Sequence, residues 1–451
     1  MRIGFLSIDH LRDWTGITRL IDRIAADMAQ RGHEVFLLAR ESKTADSIPV
    51  GKCDYPHTLV TISLDTPEAI LSAREKITGC NIDVCMTSMG SADLLFMPRL
   101  FYGSRTPYII GEAADPRVFV YERWQPYEHF AALNGAAAIQ ILLEEYREFY
   151  PEALKPRITT IGNPAPPIAE VDFSARRSKE IRQIVAVGRF NEADKRFSVL
   201  LRAFALICRD FPEWRLKLVG DGQYWGYYHE MAKQLGIKKL VEFTGAVSDP
   251  AEHYNQADIF CLPSFKAEGL PMVYVEASAH ALPLVGFESC AASKALITPD
   301  VGTLAQNGAD ANHGTPEQIA EALRSLMELS SEEREKIGRN ARSIFQERFN
   351  EKLIFDSWER LFMDVFEKWQ GFEPDSPIWT PELLNAATEE VASRSMPLVS
   401  PEASTADEQT ENVRLRCELA KMKIVNGELE GKYNALLRQF QSATMRKKGK
   451  R

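Results

Sequence analysis

The sequence predicts an α/β protein with two Rossmann-like domains that face a cleft, followed by a C-terminal coiled-coil helix. Three observations support this prediction. Patterns of buried strands alternate with amphipathic helices from residue 2 onward. A proline-rich stretch near residue 165 interrupts the alternation, which then starts again. Close to the C-terminus, apolar residues recur with a period of seven.

Length and composition exclude several classes of protein. The 451 residues exceed what one ordinary core holds, so two domains with an appendage are expected. A net charge of −9 argues against general nucleic-acid binding. The seven cysteines are scattered without a C-x-x-C pair, which indicates neither a disulfide framework nor a zinc site and favours a reducing cytosol. No apolar run reaches the roughly 20 residues of a membrane helix, and no signal peptide is recognisable, so we expect a cytoplasmic protein.

The first half of the chain opens with a strand, a loop, a helix and a second strand. Gly16 lies in the loop, and Gly32 ends the helix predicted over 17–31. This order is typical of a parallel sheet with helices on its faces. The predicted strands are 2–8, 34–39, 82–89, 106–112, 136–143 and 158–163. We assign residues 1–165 to the N-terminal domain.

The second half repeats the alternation after the linker. Its predicted strands are 182–189, 215–222, 241–247, 259–264 and 281–287, with helices near 199–211 and 225–235. Residues 180–348 form the predicted C-terminal domain, and a helix over 349–370 closes the globular part. Ligands of such sheets bind outside the carboxyl ends of the strands.

The remaining residues predict a tether, a coil and a basic tail. Residues 372–408 are rich in Pro, Ser, Glu and Ala, which is typical of a flexible linker. A heptad pattern predicts a coiled coil over 409–442 that forms a homodimer or a hetero-coil, although the helix could also dock on its own domain. The tail 443–451 ends in RKKGKR, which would suit an anionic membrane surface or simply be solvated. The heptad positions are Leu415, Met422, Leu429 and Leu436, with Leu419, Asn426, Tyr433 and Phe440 four residues after each.

Two cations follow the first strand of the second domain. Arg189 and Lys195 precede a helix whose N-terminus carries partial positive charge, which is unfavourable for two nearby cations. An anion bound between them would neutralise this repulsion. A diphosphate is the obvious candidate. The alternative is that both side chains point to water.

The stretch EGLPMVYVE places two carboxylates at the ends of an apolar run. Gly269, Leu270 and Pro271 form a turn whose free amides can meet phosphate at the start of a helix. Glu276, about two turns on, could accept two ribose hydroxyls, and Glu268 would face the group that the phosphate carries. A capping residue plus a paired buried charge is the alternative explanation.

The order of these segments resembles glycosyltransferase family 4, retaining enzymes with the glycosyltransferase-B fold. The segments are Gly-Arg at 188–189, Lys195, LVGDG, VEFTGAV, ADIFCLPS and EGLPMVYVEASAHALPLV. The resemblance is specific over 182–288 and extends over 1–370. It implies an acceptor-binding N-terminal domain and a C-terminal domain that binds a nucleotide sugar.

This resemblance implies a role for individual residues of the donor site. Arg189 and Lys195 would bind the diphosphate and, with Glu268 at the transferred sugar, form the catalytic set. Glu276 would hold the ribose, and the backbone of Gly269, Leu270 and Met272 would meet phosphate or sugar. Gly16 would let the backbone approach the diphosphate. The base would lie near Gly245 and Val247. The resemblance implies no metal and no cofactor beyond the donor, because the cation pair neutralises the leaving group.

The chain departs from the family pattern at three places. Ala113 stands where a histidine near the sugar is common, which leaves room for reduced activity or a different sugar. Gly-Asn-Pro at 162–164 replaces Pro-Asn-Gly, and Ala281 replaces a common glycine.

The expected function is hexose transfer from a UDP- or GDP-sugar to a glycan or lipid-linked acceptor in bacterial-type polysaccharide synthesis, such as that of lipopolysaccharide or capsule. The basic tail would hold the enzyme at the inner face of the membrane. Two alternatives stay open: a non-catalytic scaffold that organises partner enzymes through its coil, and another enzyme of this fold, such as an epimerase or a phosphorylase.

Overall fold

The structure is a computed structural model that describes residues 1–7, 16–40, 53–64, 66–89, 96–101, 104–116, 132–133, 135–165, 171–192, 194–264, 268–306 and 314–369. The predicted linker, coiled coil and basic tail lie outside these residues. Within them the chain forms two parallel sheets, each covered by helices, which confirms the predicted fold class.

The N-terminal domain is built on a parallel sheet of seven described strands in the order β3-β2-β1-β4-β5-β6-β7. Its strands are β1 Arg2–Leu6, β2 Glu34–Arg40, β3 Thr58–Ile62, β4 Val84–Met89, β5 Tyr108–Glu112, β6 Ala138–Ile141 and β7 Ile158–Thr160. Its described helices are α1 Gly16–Gln30, α2 Pro67–Gly79 and α3 Phe96–Phe101. Short 3-10 helices follow β6 at Glu144–Phe149 and precede β7 at Lys155–Arg157.

The C-terminal domain has a second parallel sheet of six described strands in the order β10-β9-β8-β11-β12-β13. Its strands are β8 Arg182–Val187, β9 Trp214–Val219, β10 Val241–Phe243, β11 Ile259–Leu262, β12 Leu284–Phe287 and β13 Gly302–Ala305. Its helices are α4 Phe173–Arg177, α5 Phe197–Ile207, α6 Trp225–Gln234, α7 Ala251–Gln256, α8 Met272–Ala279, α9 Ala291–Leu296, α10 Pro316–Met327 and α11 Ser331–Arg348. A 3-10 turn at Lys238–Leu240 precedes β10.

The central strands are apolar because helices cover both faces of each sheet. β11 and β12 are buried at every position, as expected for strands in the middle of a parallel sheet. Two strands absent from the sequence prediction, β3 and β13, lie at sheet edges. β3 is exposed or half-buried at every position except Ile62, so it has no continuous apolar run.

The last described helix, α12 (Glu351–Lys368), returns to the N-terminal domain. Asn350 caps it by accepting a hydrogen bond from Leu353 N at 3.0 Å. The apolar face of α12 joins the core beneath β1, where the rings of Phe362 and Phe5 meet edge to face at 5.9 Å. Arg31, directly after α1, forms ion pairs with Asp356 and Glu359 of this helix at 2.9 and 2.7 Å. The C-terminal end of the globular part therefore stabilises the first domain.

The chain crosses between the domains twice, and the two crossings lie side by side. Ala165 N donates to Phe349 O at 3.3 Å, and Ala165 forms an isolated parallel bridge with Asn350. Arg23 of α1 holds both segments, because it donates to Pro164 O and to Glu351 at 2.7 Å each. Among the helices of the described ranges, none is long and apolar enough to cross a membrane.

Candidate functional site

Three glycines lie just after the carboxyl ends of neighbouring strands β8, β9 and β10. Gly220 N donates to Gly245 O at 3.0 Å, and a Cβ on Gly220 would come within 2.0 Å of Gly188 O. Gly245 has a φ of 78°, which favours glycine. The loops can therefore approach one another closely at the edge where ligands bind. The predicted base contacts, Gly245 and Val247, lie on this edge, and Val247 is 37% exposed.

The loop between β8 and α5 carries the predicted phosphate ligands. Its shape depends on Glu192, which accepts hydrogen bonds from Tyr228 Oη at 2.7 Å and from the hydroxyl of Ser198. Ser198 N also points to Glu192 at 3.3 Å, so this carboxylate caps the first turn of α5. Lys195 runs over Gly188, where an added Cβ would lie 3.2 Å from Lys195 Cε.

The two predicted cations differ in their surroundings. Lys195 is mostly buried and forms an ion pair with Glu268. Arg189 lies in the same loop with an exposed side chain. A further arginine, Arg196, has a left-handed backbone (φ 50°, ψ 41°) that is uncommon for a residue with a side chain. It donates to Gly314 O at 3.1 Å, and burial lowers its pKa.

Residues 268–271, the donor turn, join the β11 segment to α8. Glu268 at its start accepts a hydrogen bond from Ser264 Oγ at 3.2 Å besides its contact with Lys195. The structure thus brings together two residues that lie 73 positions apart (268 − 195) in the chain. A carboxylate and an ammonium in contact can exchange partners with a bound hydroxyl or phosphate.

The backbone of the donor turn has unused donors. Pro271 precedes α8 without a side-chain cap. Among the described residues, no acceptor is found for the N–H groups of Gly269, Leu270 and Met272. Free amides at a helix start attract anions, because the helix dipole adds to their partial positive charge. The turn therefore presents free N–H donors, and the binding of phosphate or sugar oxygens there stays a prediction from the sequence.

Glu276 lies in the second turn of α8 and is half-buried. Tyr254 Oη donates to its Oε2 at 2.8 Å. Burial raises the pKa of Glu276, while this hydrogen bond and the charges of Arg23 and Arg19 of α1 act in the opposite direction. The carboxylate consequently stands between the C-terminal domain and the first helix of the N-terminal domain.

The N-terminal domain contributes backbone and two polar side chains to the cleft. Gly16 is the first residue of α1 and is exposed; the predicted helix thus begins one residue earlier, and Gly16 belongs to it rather than to the loop. Ala113 follows β5, and its carbonyl oxygen would lie 2.7 Å from a Cβ on Gly269. Tyr146 and Asn163 donate to carbonyls of the donor turn.

Sequence reasoning missed the residues that hold the predicted ligands in place. Glu192 lies between the two predicted cations Arg189 and Lys195, but nothing in its spacing reveals that it caps α5. Asn163 was noted as a departure from the family pattern, without its contact to Leu270. Tyr146 and Tyr254 carry no recognisable motif.

The second domain is similar to a known protein family. Residues 168–344 match the family described as glycosyl transferases group 1. An uncharacterized glycosyltransferase of Haemophilus influenzae is 31% identical over 169 residues, 37% of this chain and 46% of the relative. A GDP-mannose-dependent alpha-(1-6)-phosphatidylinositol monomannoside mannosyltransferase of Mycolicibacterium smegmatis is 29% identical over 205 residues, 43% of this chain and 50% of the relative. The chain thus spans about half the length of these curated relatives.

Solved structures share the whole two-domain architecture. Anabaena Alr3699/HepE in complex with UDP superposes with a TM-score of 0.66 at 17% identity, covering 81% of this chain and 100% of that one. The lipopolysaccharide outer core galactosyltransferase WaaB gives a TM-score of 0.59 at 17% identity, covering 81% and 99%. At this identity the likeness concerns the fold. Residues 168–344 therefore resemble the glycosyl transferases group 1 family, within a chain that has the two-domain glycosyltransferase-B fold.

Proposed function

We propose that this chain is a retaining glycosyltransferase that moves a hexose from a nucleoside-diphosphate sugar to a glycan or lipid-linked acceptor. The observation that carries the proposal is the contact between Lys195 and Glu268 beside the free amides of the donor turn. This arrangement offers positive charge and N–H groups to a diphosphate, and a carboxylate to the attached sugar. It lies inside the residues that match glycosyl transferases group 1.

Each charged residue has a role in this proposal. Lys195 and Arg189 bind the diphosphate and stabilise the charge that develops as it leaves. Glu268 binds hydroxyls of the transferred sugar, and its exchange from Lys195 to the sugar accompanies donor binding. Glu276 accepts the ribose hydroxyls, and Gly245 and Val247 border the base. The acceptor enters from the N-terminal domain, attacks on the face that the diphosphate leaves, and needs no metal ion.

The relatives support both donor bases. The printed name of the mycobacterial mannosyltransferase specifies GDP-mannose and a phosphatidylinositol acceptor. The Anabaena structures contain UDP, UDP with glucose, and UDP-glucose. We therefore propose a UDP- or GDP-sugar as donor. The coiled coil as a dimer or hetero-coil, and the basic tail as a contact to the inner membrane surface, stay predictions from sequence.

A thermal-shift titration of the full-length protein with UDP, GDP and ADP, with and without EDTA, tests the proposal. A ligand that binds only the folded state at a hundredfold excess over Kd stabilises it by about 2.7 kcal/mol. We expect a shift with one diphosphate that EDTA leaves unchanged. Lys195→Ala and Glu276→Ala should abolish the shift. Lys233→Ala is the control, because this lysine is 67% exposed and pairs with Glu230 on the surface of α6.

Two results would contradict the proposal. No shift with any diphosphate would favour the scaffold function, with the coil as its organising element. A shift that EDTA abolishes would leave a transferase but reject metal-independent donor binding. Incubation of the binding protein with the matching radiolabelled sugar nucleotide and a lipid extract then tests transfer itself.

A further inference from the structure

We propose that Tyr146 and Asn163, both in the N-terminal domain, are positioning residues that hold the donor turn of the C-terminal domain in its binding conformation. The inference rests on the proposed function, because it concerns the same donor site. It adds that the acceptor domain sets the geometry of the donor site through two side chains that touch neither substrate.

The two side chains bind the carbonyl oxygens of consecutive residues in the turn. Tyr146 Oη donates to Gly269 O at 2.5 Å and lies 3.3 Å from Glu268 O. Asn163 Nδ2 donates to Leu270 O at 2.7 Å. All three carbonyls of this stretch therefore face the N-terminal domain. Both donor residues are buried, so water does not replace these bonds readily.

The planarity of the peptide bond links two of these carbonyls, those of Glu268 and Gly269, to free amides. The Leu270 carbonyl precedes Pro271, which has no N–H, so its bond to Asn163 holds the turn in place without orienting an amide. In a trans peptide the C=O and the N–H point in opposite directions. When Tyr146 holds Gly269 O, the N–H of Leu270 in the same peptide is directed away from the N-terminal domain. The Glu268 carbonyl orients the N–H of Gly269 in the same manner. The N-terminal domain thus binds one face of the turn and leaves the amide face for a ligand.

Steric contact on the same side reinforces the arrangement. A Cβ on Gly269 would lie 2.6 Å from Ala114 Cα and 2.8 Å from Leu142 Cδ1, so only glycine allows this approach. A Cβ on Gly162 would lie 3.5 Å from Leu270 Cδ2. The segments after β5, β6 and β7 therefore all touch the donor turn. Separation of the domains would break every one of these contacts at once.

Tyr146 has a closely matched neighbour, Tyr150, directly after the same 3-10 helix. Tyr150 is also buried, and its hydroxyl donates to Glu112 at 3.0 Å inside the N-terminal domain. Removal of either hydroxyl deletes one buried hydrogen bond. Of these two hydrogen bonds, the one from Tyr146 joins the two domains and the one from Tyr150 does not. Tyr146→Phe and Tyr150→Phe therefore separate an effect on the turn from a general loss of stability.

The experiment uses the full-length protein and two measurements. Hydrogen–deuterium exchange of the unliganded protein reports on peptides within 268–280, where Tyr274 N donates to Pro271 O at 3.0 Å in the first turn of α8. Calorimetric titration with UDP, GDP and ADP gives the diphosphate affinity. We expect Tyr146→Phe and Asn163→Ala to exchange faster in these peptides and to bind the diphosphate about fivefold more weakly, which corresponds to one hydrogen bond of about 1 kcal/mol. Tyr150→Phe should match the wild type in both.

The outcomes separate this inference from the proposed function. If Tyr146→Phe and Asn163→Ala left both the hydrogen–deuterium exchange and the diphosphate affinity unchanged, the inference would be overturned. The proposed function would still stand. Faster exchange with unchanged affinity would also overturn the inference, because the turn would be held without any effect on donor binding. A wild type that binds none of the diphosphates would refute the proposed function and, with it, a positioning role toward a donor.

Discussion

Replacement of Arg176 by methionine should destabilise the protein by about 3 kcal/mol, because two charge-assisted hydrogen bonds contribute roughly 1.5 kcal/mol or more each. The buried guanidinium donates to Ala281 O at 3.0 Å and to His280 O at 3.1 Å, where α8 ends. Longer contacts of 3.4 Å reach the carbonyls of Tyr254 and Asn255 at the end of α7. Arg176 therefore joins the two helices that carry Glu276 and its partner Tyr254.

Burial of the guanidinium offsets part of this stabilisation, and it lowers the pKa of Arg176 to about 10. Methionine keeps an unbranched apolar stem but leaves the carbonyls without a donor. Arg177→Met is the control, since Arg177 is 41% exposed and pairs with Glu335, a contact worth about 1 kcal/mol or less. Urea unfolding followed by fluorescence measures both variants. If both variants lost the same small amount of unfolding free energy, the role given to Arg176 would be refuted.

Three further predictions follow from buried or constrained residues. His280 is hydrogen-bonded to Asn255 at 2.7 Å, and burial lowers its pKa to about 4. The unfolded chain, with a histidine pKa near 6.5, binds the proton first, so stability should fall by about 3 kcal/mol as the pH drops from about 6.5 to 4. In unfolding measurements at several pH values, His280→Gln should lose less stability than the wild type over this pH range. Parallel curves of stability against pH for the two proteins would contradict the role given to His280. Arg196→Gly should be about 1 kcal/mol more stable than Arg196→Ala, because both lose the side chain but only glycine relieves the left-handed backbone. Equal thermal midpoints would exclude strain at this residue. Gly269→Ala should weaken diphosphate binding about tenfold by pushing the donor turn off Ala114, whereas Gly79→Ala, with no atom near its added Cβ, should bind as the wild type does.

The order of strands and helices was readable from the chain alone. Continuous apolar runs such as β11 and β12 are buried on both faces, and this burial produces the pattern by which they were recognised. The two edge strands β3 and β13 were not recognised. An edge strand is covered less completely, so it requires no apolar run, and short segments such as Gly302–Ala305 look like loops.

The candidate ligand residues were also proposed from the sequence alone. Lys195, Glu268 and Glu276 were singled out because a charge at a strand-to-helix turn, or within an apolar helix, is costly without a partner. Their chemical partners were not determined in this way. Only the folded chain shows that Lys195 pairs with Glu268 and that Tyr254 donates to Glu276.

Tertiary structure alone decided which residues hold the site in shape. Tyr146 and Gly269 lie 123 positions apart, and Asn163 and Leu270 lie 107 apart. A hydroxyl or an amide can donate to any backbone carbonyl, so neither side chain selects its acceptor by residue type or spacing. The local pattern of a chain determines its elements, because periodic burial requires periodic side chains. The contacts of those elements across the cleft depend on how the two sheets pack, and no short stretch of sequence records this.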